Sequence, residues 1–399
     1  MIAYFARFIF LDIYMFLNKS KVFLKKHLYL LKKKKKKRII SIVIPTFNEQ
    51  NNVSKIINKL LNLEVDYEIE IIVVDDNSYD GTAKLVREYG RLDKRVRLIN
   101  RFGRSGLSSA IKEGCLCASG DIIAVMDADG QHDPSYIVLA LEKLELKKVD
   151  IILGSRFATG AIIKGLSRER KSSSSIANNL ARLSLYDSYD YLTDYMSGFF
   201  VFKRNICIEL IKKIDVHGFK FFYELLAISK GKLKILEIPL IFNERMHGNS
   251  KLDLPVVWDF LISLLHTFSG RIVPRRAVSF ALVGSTGVFI QLSTIYFLLA
   301  VTNFDFETVL PVGVIIAASS NFIINNILTF RSNKLLGKSF YTGLLKFLLV
   351  SSLPIIANVG VTNLFYSKFS TNTFFSQLLG IFVVFIWNYA ASSKVVWNN

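Results

Sequence analysis

From Ala277 onward the chain repeatedly runs for about twenty residues without a charge. Ala277–Val301, Thr308–Phe330, Phe347–Tyr366 and Thr373–Ala391 hold no Asp, Glu, Lys or Arg over 25, 23, 20 and 19 residues. A helix needs ~20 apolar residues to cross a ~30 Å hydrocarbon core. Four such runs in succession are not the pattern of buried helices in a soluble domain. The spacing predicts four transmembrane helices. Basic residues set their direction. Arg271, Arg275 and Arg276 precede the first run, and Arg331, Lys334, Lys338 and Lys346 separate the second from the third. The turn after the first run holds Asp305 and Glu307 instead. The positive-inside rule then places the first 270 residues, the middle loop and the C-terminus in the cytoplasm.

These runs account for a composition that an ordinary soluble chain does not have: 51% hydrophobic, with a mean hydropathy of +0.35. The formal charge of +19 is also unevenly spread. Residues 19–38 carry Lys19, Lys21, Lys25, Lys26, Lys32 to Lys37 and Arg38, and no acid. Such a run suits an anionic membrane surface or nucleic acid, or is a solvated tail. Its apolar flanks and the spans elsewhere favour the membrane surface, where each basic residue contributes about 1 kcal/mol. No other segment points to nucleic acid. Residues 1–17 include Arg7 and Asp12 and lack a small-residue cleavage site, so they suit an interfacial amphipathic helix better than a span or signal peptide. Cys115, Cys117 and Cys207 form no C-x-x-C pair and have no His at zinc spacing. They read as reduced thiols.

Between these regions, apolar β-branched runs alternate with helical spacing. Strands are expected at 39–44, 69–74 and 95–100 and in "DIIAVMDADG", with intervening helices in "NNVSKIINKLLNL", after Asp80-Gly81-Thr82, and in "GRSGLSSAIKEGCLCAS". That alternation predicts an open, mostly parallel α/β sheet, which binds ligands at the carboxyl ends of its strands. Thr46 to Glu49, Asp75 to Ser78 and Asp127 to Asp133 all fall there. Residues 150–251 are less regular: a strand ending at Arg156, a Ser-rich basic entry to a helix, the turn "YMSGFF", a helix with a Glu inside its apolar face, and a basic Gly/Ser loop. Residues 253–268 read as an amphipathic helix at the membrane interface. "NFIINNILTF" (321–330) and "NYAASSKVVW" (388–397) share a pattern, suggesting two related hairpins; biased composition alone is the alternative.

The stretch "AVMDADGQHDP" (124–134) carries the most chemistry. Strand alternation would put Asp127 and Asp129 on one side, where two carboxylates need a cation. Hard ions such as Mg²⁺ or Mn²⁺ take oxygen ligands and keep phosphate and water in their shell. A calcium loop does not fit: the sixth position from Asp127 is His132 rather than Gly, and the twelfth is Val138 rather than Glu. A surface acidic turn is the alternative, and it leaves unexplained why the acids end an apolar strand. His132 is expected to be structural, bonding a nearby backbone group, and His247 is assigned no role. A carboxylate at Asp75 or Asp76 could accept from a base or ribose, although "DDNSYDGT" is also an ordinary turn signal.

"IVIPTFNE", "IIVVDDNSYDGT", "MDADGQHDP", "GSRF", "YMSGFF" and "HGNSKL", in that order, resemble the inverting family 2 glycosyltransferases of the GT-A fold. The nearest likeness is to dolichol-phosphate (polyprenol-phosphate) mannose synthases. The four runs resemble the GtrA-like membrane domain of some members, so the likeness spans about 40–397. It implies an α/β GT-A domain followed by an all-α domain of four transmembrane helices. It implies that Pro45, Phe47, Glu49, Val74 and Asp76 hold the nucleotide's base and ribose. By the same likeness, Asp127, Asp129 and Gln131 are the metal-site positions, with Asp129 nearest the diphosphate. Arg156, Arg170 and Lys251 match basic positions around the phosphates of donor and acceptor, and Ser197 and Gly198 match the turn beside the acceptor. Asp129, Arg156, Arg170 and Lys251 are the implied catalytic set; Arg156, Arg170 and Ser197 are the implied acceptor-phosphate set. Two departures stand out. Tyr195 occupies a position that is commonly Pro, and Gly130 one that is often bulky and apolar.

The resemblance implies hexose transfer, mannose from GDP-mannose, to dolichyl or polyprenyl phosphate, with inversion and with Mg²⁺ or Mn²⁺. The expected partners are the nucleotide sugar, the lipid phosphate and the bilayer, with no nucleic acid; the membrane helices leave room for a homo-oligomer. Alternatives are a UDP-glucose donor, or a lipid-linked-sugar flippase whose transferase domain is vestigial. A processive polysaccharide synthase is disfavoured, because none of Gln50, Gln131, Gln291 and Gln377 begins Q-x-x-R-W. The expected division is 1–38 basic extension, 39–252 transferase, 253–273 interfacial helix and linker, and 274–399 membrane domain.

Overall fold

The computed structural model describes residues 38–103, 106–164, 168–215, 220–243, 254–352 and 373–397. The first half alternates: β1 (Ile39–Thr46), α1 (Gln50–Leu61), β2 (Glu68–Asp75), α2 (Thr82–Leu92), β3 (Val96–Asn100), α3 (Leu107–Cys117) and β4 (Ile122–Val125). There follow α4 (Tyr136–Leu146), β5 (Ile151–Ser155), β6 (Ile162–Ile163), α5 (Arg168–Ser184), β7 (Phe200–Lys203), α6 (Arg204–Lys213), α7 (Phe221–Ser229), β8 (Ile235–Pro239) and β9 (Ile241–Phe242). Seven strands form one sheet in the order β3-β2-β1-β4-β7-β5-β8. Neighbours are parallel except β7, which runs antiparallel to both β4 and β5.

The strands read as unbroken apolar runs because helices cover both faces of the sheet. Successive residues face opposite ways. Ile40, Ile42 and Ile44 enter one core cluster, and Val43 enters the other with Ile72, Val74 and Val125. Helix α3 lies close on the sheet at Gly114, where a Cβ would collide with the Val43 and Val74 side chains. The register pairs Pro45 with Val74 and Thr46 with Asp75, so β1 and β2 end level.

Beyond the sheet, α8 (Leu254–Phe268) leads into α9 (Arg275–Val301) and α10 (Phe306–Ile324). Among the described residues, α9 and α10 with its terminal turn, Phe306–Thr329, are long and apolar enough to cross a membrane. With 27 residues α9 is roughly 40 Å long. Residues 338–352 form α11. The third apolar run, 347–366, lies mostly outside the described residues, and the fourth forms the 19-residue α12 (Thr373–Ala391). Residues 1–37 also lie outside them.

The paired motifs have a common structural ending. Each helix widens into one π turn, Asn325–Thr329 and Ser392–Val396. Phe330 N donates to the Asn325 carbonyl at 2.8 Å, and Trp397 N to the Ser392 carbonyl at 3.3 Å. The aromatic residues that close the motifs stack on each other, with centroids 4.2 Å apart and planes 6° apart. Trp397 Nε1 also donates to Asn326 Oδ1 at 3.1 Å.

Candidate active site

Three strand ends supply the site. After β1 and β2 the chain turns through Asn48 and Asn77, both at positive φ (57° and 63°), a conformation Asn adopts more readily than most residues. The two turns are laced together: Asn48 N donates to Ser78 Oγ and Tyr79 N to Asn48 Oδ1. Asp75 is spent inside this turn, accepting from Thr46 Oγ1, Ser78 Oγ and Ser78 N at 3.0, 2.6 and 2.9 Å. Asp76 faces the next loop, with Oδ1 2.9 Å from Arg101 Nη1 and Oδ2 accepting from Gly106 N at 2.8 Å. Phe47 meets Tyr79 edge to face at 6.2 Å, and Tyr79 is almost fully exposed. Glu49 is the N-cap residue of α1 and accepts from Asn52 Nδ2. Pro45 and Val74 are buried beneath them. The five expected nucleotide-binding positions therefore share one end of adjacent strands. Arg101, the residue after β3, was not anticipated; its place at the same sheet edge was the available signal.

The acidic stretch differs from expectation in one respect. β4 stops at Val125, so Asp127 and Asp129 occupy the bend after the strand and not the strand itself. Strand alternation therefore does not orient them. The bend turns at Gly130, whose φ of +79° is where an L side chain is strained. Asp129 is buried, and its Oδ1 accepts from Gln131 N at 3.1 Å. Gln131 Nε2 donates to the Asn243 carbonyl at 3.2 Å, so the atom a cation would take is the amide oxygen. Asp133 is occupied with the start of α4, accepting from Ser135 N at 2.9 Å. His132 is buried, as a structural role requires, but the expected bond to backbone is not made through Nδ1, which has no hydrogen-bond partner among the described residues. The ring packs between Phe199 and Phe242 at 5.8 and 5.4 Å. Burial pushes its pKa down to about 4 against the opposing pull of Asp129, so it is neutral at pH 7.

Arg156 follows β5 and is gripped at both ends of its fork. Its Nε and Nη2 lie 2.7 and 2.8 Å from the two oxygens of Asp194, a fully buried carboxylate. The guanidinium also lies over Phe157 and Phe242. Burial disfavours both charges, yet each sustains the other: Arg156 holds the Asp194 carboxyl below the usual carboxylate range, and Asp194, with help from Asp127, raises the arginine. Asp194 was missed by sequence reasoning, although it stands three residues before Ser197. Ser197 is turned inward: its Oγ donates to the Gly154 carbonyl at 2.5 Å and accepts from Phe199 N. This bonding shapes the turn. A Cβ on Gly198 would overlap the Asp127 carboxylate, so the turn and the acidic bend are in direct contact. At the departure from the family pattern, Tyr195 N donates to Asn178 Oδ1 at 3.0 Å, a bond to α5 that proline could not make. Arg170 lies in the first turn of α5, but its side chain is outside the described set, as is the whole of Lys251.

The donor set suits a hard divalent ion: two carboxylates and an amide oxygen within one short bend. Among the described residues no three His, Cys, Asp or Glu side chains are grouped so as to hold a metal ion by themselves. A cation here would leave coordination positions for a diphosphate.

Residues 41–211 match glycosyl transferase family 2, and residues 279–397 match the GtrA/DPMS transmembrane domain. Over 363 residues, 90% of this chain and 99% of the relative, the sequence is 31% identical to the dolichol-phosphate mannosyltransferase of Pyrococcus furiosus. It is 33% identical over 239 residues to that of Mycosarcoma maydis, covering 58% of this chain and 79% of the relative. Among solved structures it is similar to glucosyl-3-phosphoglycerate synthase from Mycobacterium tuberculosis in complex with Mn²⁺, UDP and glucosyl-3-phosphoglycerate. The TM-score is 0.45 at 20% identity, covering 58% of this chain and 80% of that chain.

Proposed function

We propose, from the premise that this chain belongs to glycosyl transferase family 2 and carries a GtrA/DPMS transmembrane domain, that it transfers mannose from GDP-mannose to dolichyl or polyprenyl phosphate. The observation that carries the reading is the packing of the acidic bend at Asp127 against the turn at Gly198, which follows the Asp194 that holds Arg156, in a chain that goes on to membrane-length helices. The Pyrococcus furiosus relative, matched along 90% of this chain, is named dolichol-phosphate mannosyltransferase.

Asp76, with Phe47 and Glu49, would receive the nucleoside. Asp127, Asp129 and the Gln131 amide oxygen would hold Mg²⁺ or Mn²⁺, which neutralises charge developing on the departing diphosphate. Arg156, kept charged and oriented by Asp194, would lie against phosphate oxygens. Arg170 and Lys251 would complete the basic set. The acceptor phosphate has a second pKa near ~6, so it is largely ionised at pH 7 and needs positioning rather than a general base. Attack opposite the leaving diphosphate inverts the anomeric centre. Ser197 enters this scheme only as the residue that shapes the turn beside Asp127.

The proposed organisation is 1–38 extension, 39–252 transferase, 253–273 interfacial linker and 274–399 a four-helix membrane domain, with the site and both termini cytoplasmic. Arg271, Arg275 and Arg276 at the N-terminal end of α9, and Asp305 and Glu307 beyond its C-terminal end, support that direction. Two adjacent helices support docking on the bilayer: α8 exposes Val257, Leu261, Leu265 and Phe268, and the neighbouring α5 exposes Ile176, Leu180 and Leu183. The test supplies membranes with Mn²⁺ or Mg²⁺, a polyprenyl phosphate and one labelled nucleotide sugar at a time. Labelled lipid from GDP-mannose is expected. Label from UDP-glucose alone would reassign the donor, and label from none would sink the transferase reading.

A further inference from the structure

Glu224 is an acid with no part in the chemistry above. It lies in α7 among Phe221, Phe222, Leu225 and Leu226 and is fully buried. A lone carboxylate is costly in such a place. Its oxygens are instead divided between two arginines outside the α/β domain. Arg271 Nη2 donates to Oε2 at 3.0 Å, and Arg275 Nη1 to Oε1 at 2.7 Å. Arg275 is the first residue of α9, and Arg271 sits in the turn before it at φ +63°. Arg275 reaches further. Its Nη2 donates to the Asp259 carbonyl and to Ser263 Oγ on α8, at 3.2 and 2.8 Å, and its Nε lies 3.7 Å from Asp215. One guanidinium thus joins the α/β domain, the helix before the span and the root of the span. The ion pairs of Glu224 and Asp215 with these two arginines join residues 38–243 to residues 254–397.

Apolar surfaces can slide or rotate against each other with little penalty. Two charge-assisted bonds to the two oxygens of one carboxylate fix both distance and rotation. We propose that Glu224 is a positioning residue: by gripping the root of the first span it sets the height and tilt of the sugar-transferring edge over the bilayer. This rests on the reading that the acceptor is a lipid phosphate held in the membrane. A soluble acceptor can follow a tilting site, whereas a lipid phosphate confined to the headgroup plane cannot. Misplacement of reacting groups by about 1 Å can cost on the order of 100-fold in rate.

The test uses the full chain in nanodiscs with two acceptors, a long-chain polyprenyl phosphate and a short water-soluble analogue. For Glu224→Gln, turnover on the long-chain acceptor should fall by about 10- to 100-fold. KM for the nucleotide sugar and turnover on the short acceptor should stay within about twofold, a split that general damage to the fold would not produce. A second readout needs no activity. Spin labels go on the exposed Cys117 and on Ser339→Cys, the other cysteines being buried. Their distance distribution should be narrow in the parent and broad in Glu224→Gln. Arg271→Gln, which leaves one of the two bonds, should give the same pattern at smaller amplitude and serves if Glu224→Gln cannot be recovered folded. An unchanged distribution overturns the proposal, as does equal loss on both acceptors or unchanged long-chain turnover. A parent protein that labels neither acceptor sinks the functional reading; the spin labels then decide the mechanical clamp alone.

Discussion

At the scale of the residue, Arg156 and Asp194 form a charge pair held out of water, a few residues from the acidic bend's contact at Gly198. Asp129→Ala should lower transfer by about 100-fold or more, measured as kcat/KM for the nucleotide sugar at saturating Mg²⁺. Chelation of divalent ions should abolish parent activity and have little further effect on the variant. Asp194 acts one step back, through Arg156. Asp194→Asn leaves a buried guanidinium without its counter-charge, and loss of one partner of a buried pair costs about 3 kcal/mol. Thermal unfolding of the purified protein should show that loss at neutral pH. The sign of its pH dependence follows from the depressed carboxyl pKa. The contribution is complete above the ordinary Asp value of about 3.9 and is lost as pH falls below it through the folded pKa. The gap between parent and variant should therefore persist from pH 5 to 8 and close only in stronger acid. Asp127, Asp129 and Arg156 were legible in sequence because each closely follows the end of an apolar strand. Asp194 was not, since it comes from a loop near β7, and only antiparallel pairing with β5 brings that loop beside Arg156.

At the scale of the element, the repeat in the membrane part has a physical basis. Each π turn leaves a large aromatic residue at its end, and the two rings close on each other. Trp397→Ala should remove both the stack and the bond to Asn326, costing about 3 kcal/mol. Trp397→Phe keeps the stack and loses only the hydrogen bond, worth about 1 kcal/mol. A graded order of thermal stability in detergent, parent above Phe above Ala, is the expected result. Equal stability of all three would mean the stack does not hold the helix ends together. The strands and most helices followed from periodicity. The π turns did not, because widening a helix by one residue leaves no mark in an apolar pattern.

At the scale of the whole molecule, the placement of charge predicts which side of the membrane each part occupies. Asn303 lies in the turn between α9 and α10. In intact cells an Asn303→Cys variant should react with a membrane-impermeant maleimide, while Cys117 should react only after permeabilisation. The reverse labelling would invert the orientation. Of the three arginines at the N-terminal end of α9, Arg271 and Arg275 also serve as counter-charges to Glu224.

The sequence by itself determined the order of strands and helices, the apolar runs and the three acidic or polar strand ends. These depend on periodicity and on residues close together in the chain. Tertiary structure alone decided which distant charges meet. Asp194 reaches Arg156 across 38 positions and Arg275 reaches Glu224 across 51, and the antiparallel strand β7 and the turn between α8 and α9 create those meetings. Burial explains why both pairings matter: a charge removed from water must find its partner wherever the fold delivers one. The acidic bend was visible from its own residues, but the pairings of Asp194 with Arg156 and of Glu224 with Arg271 and Arg275 were not.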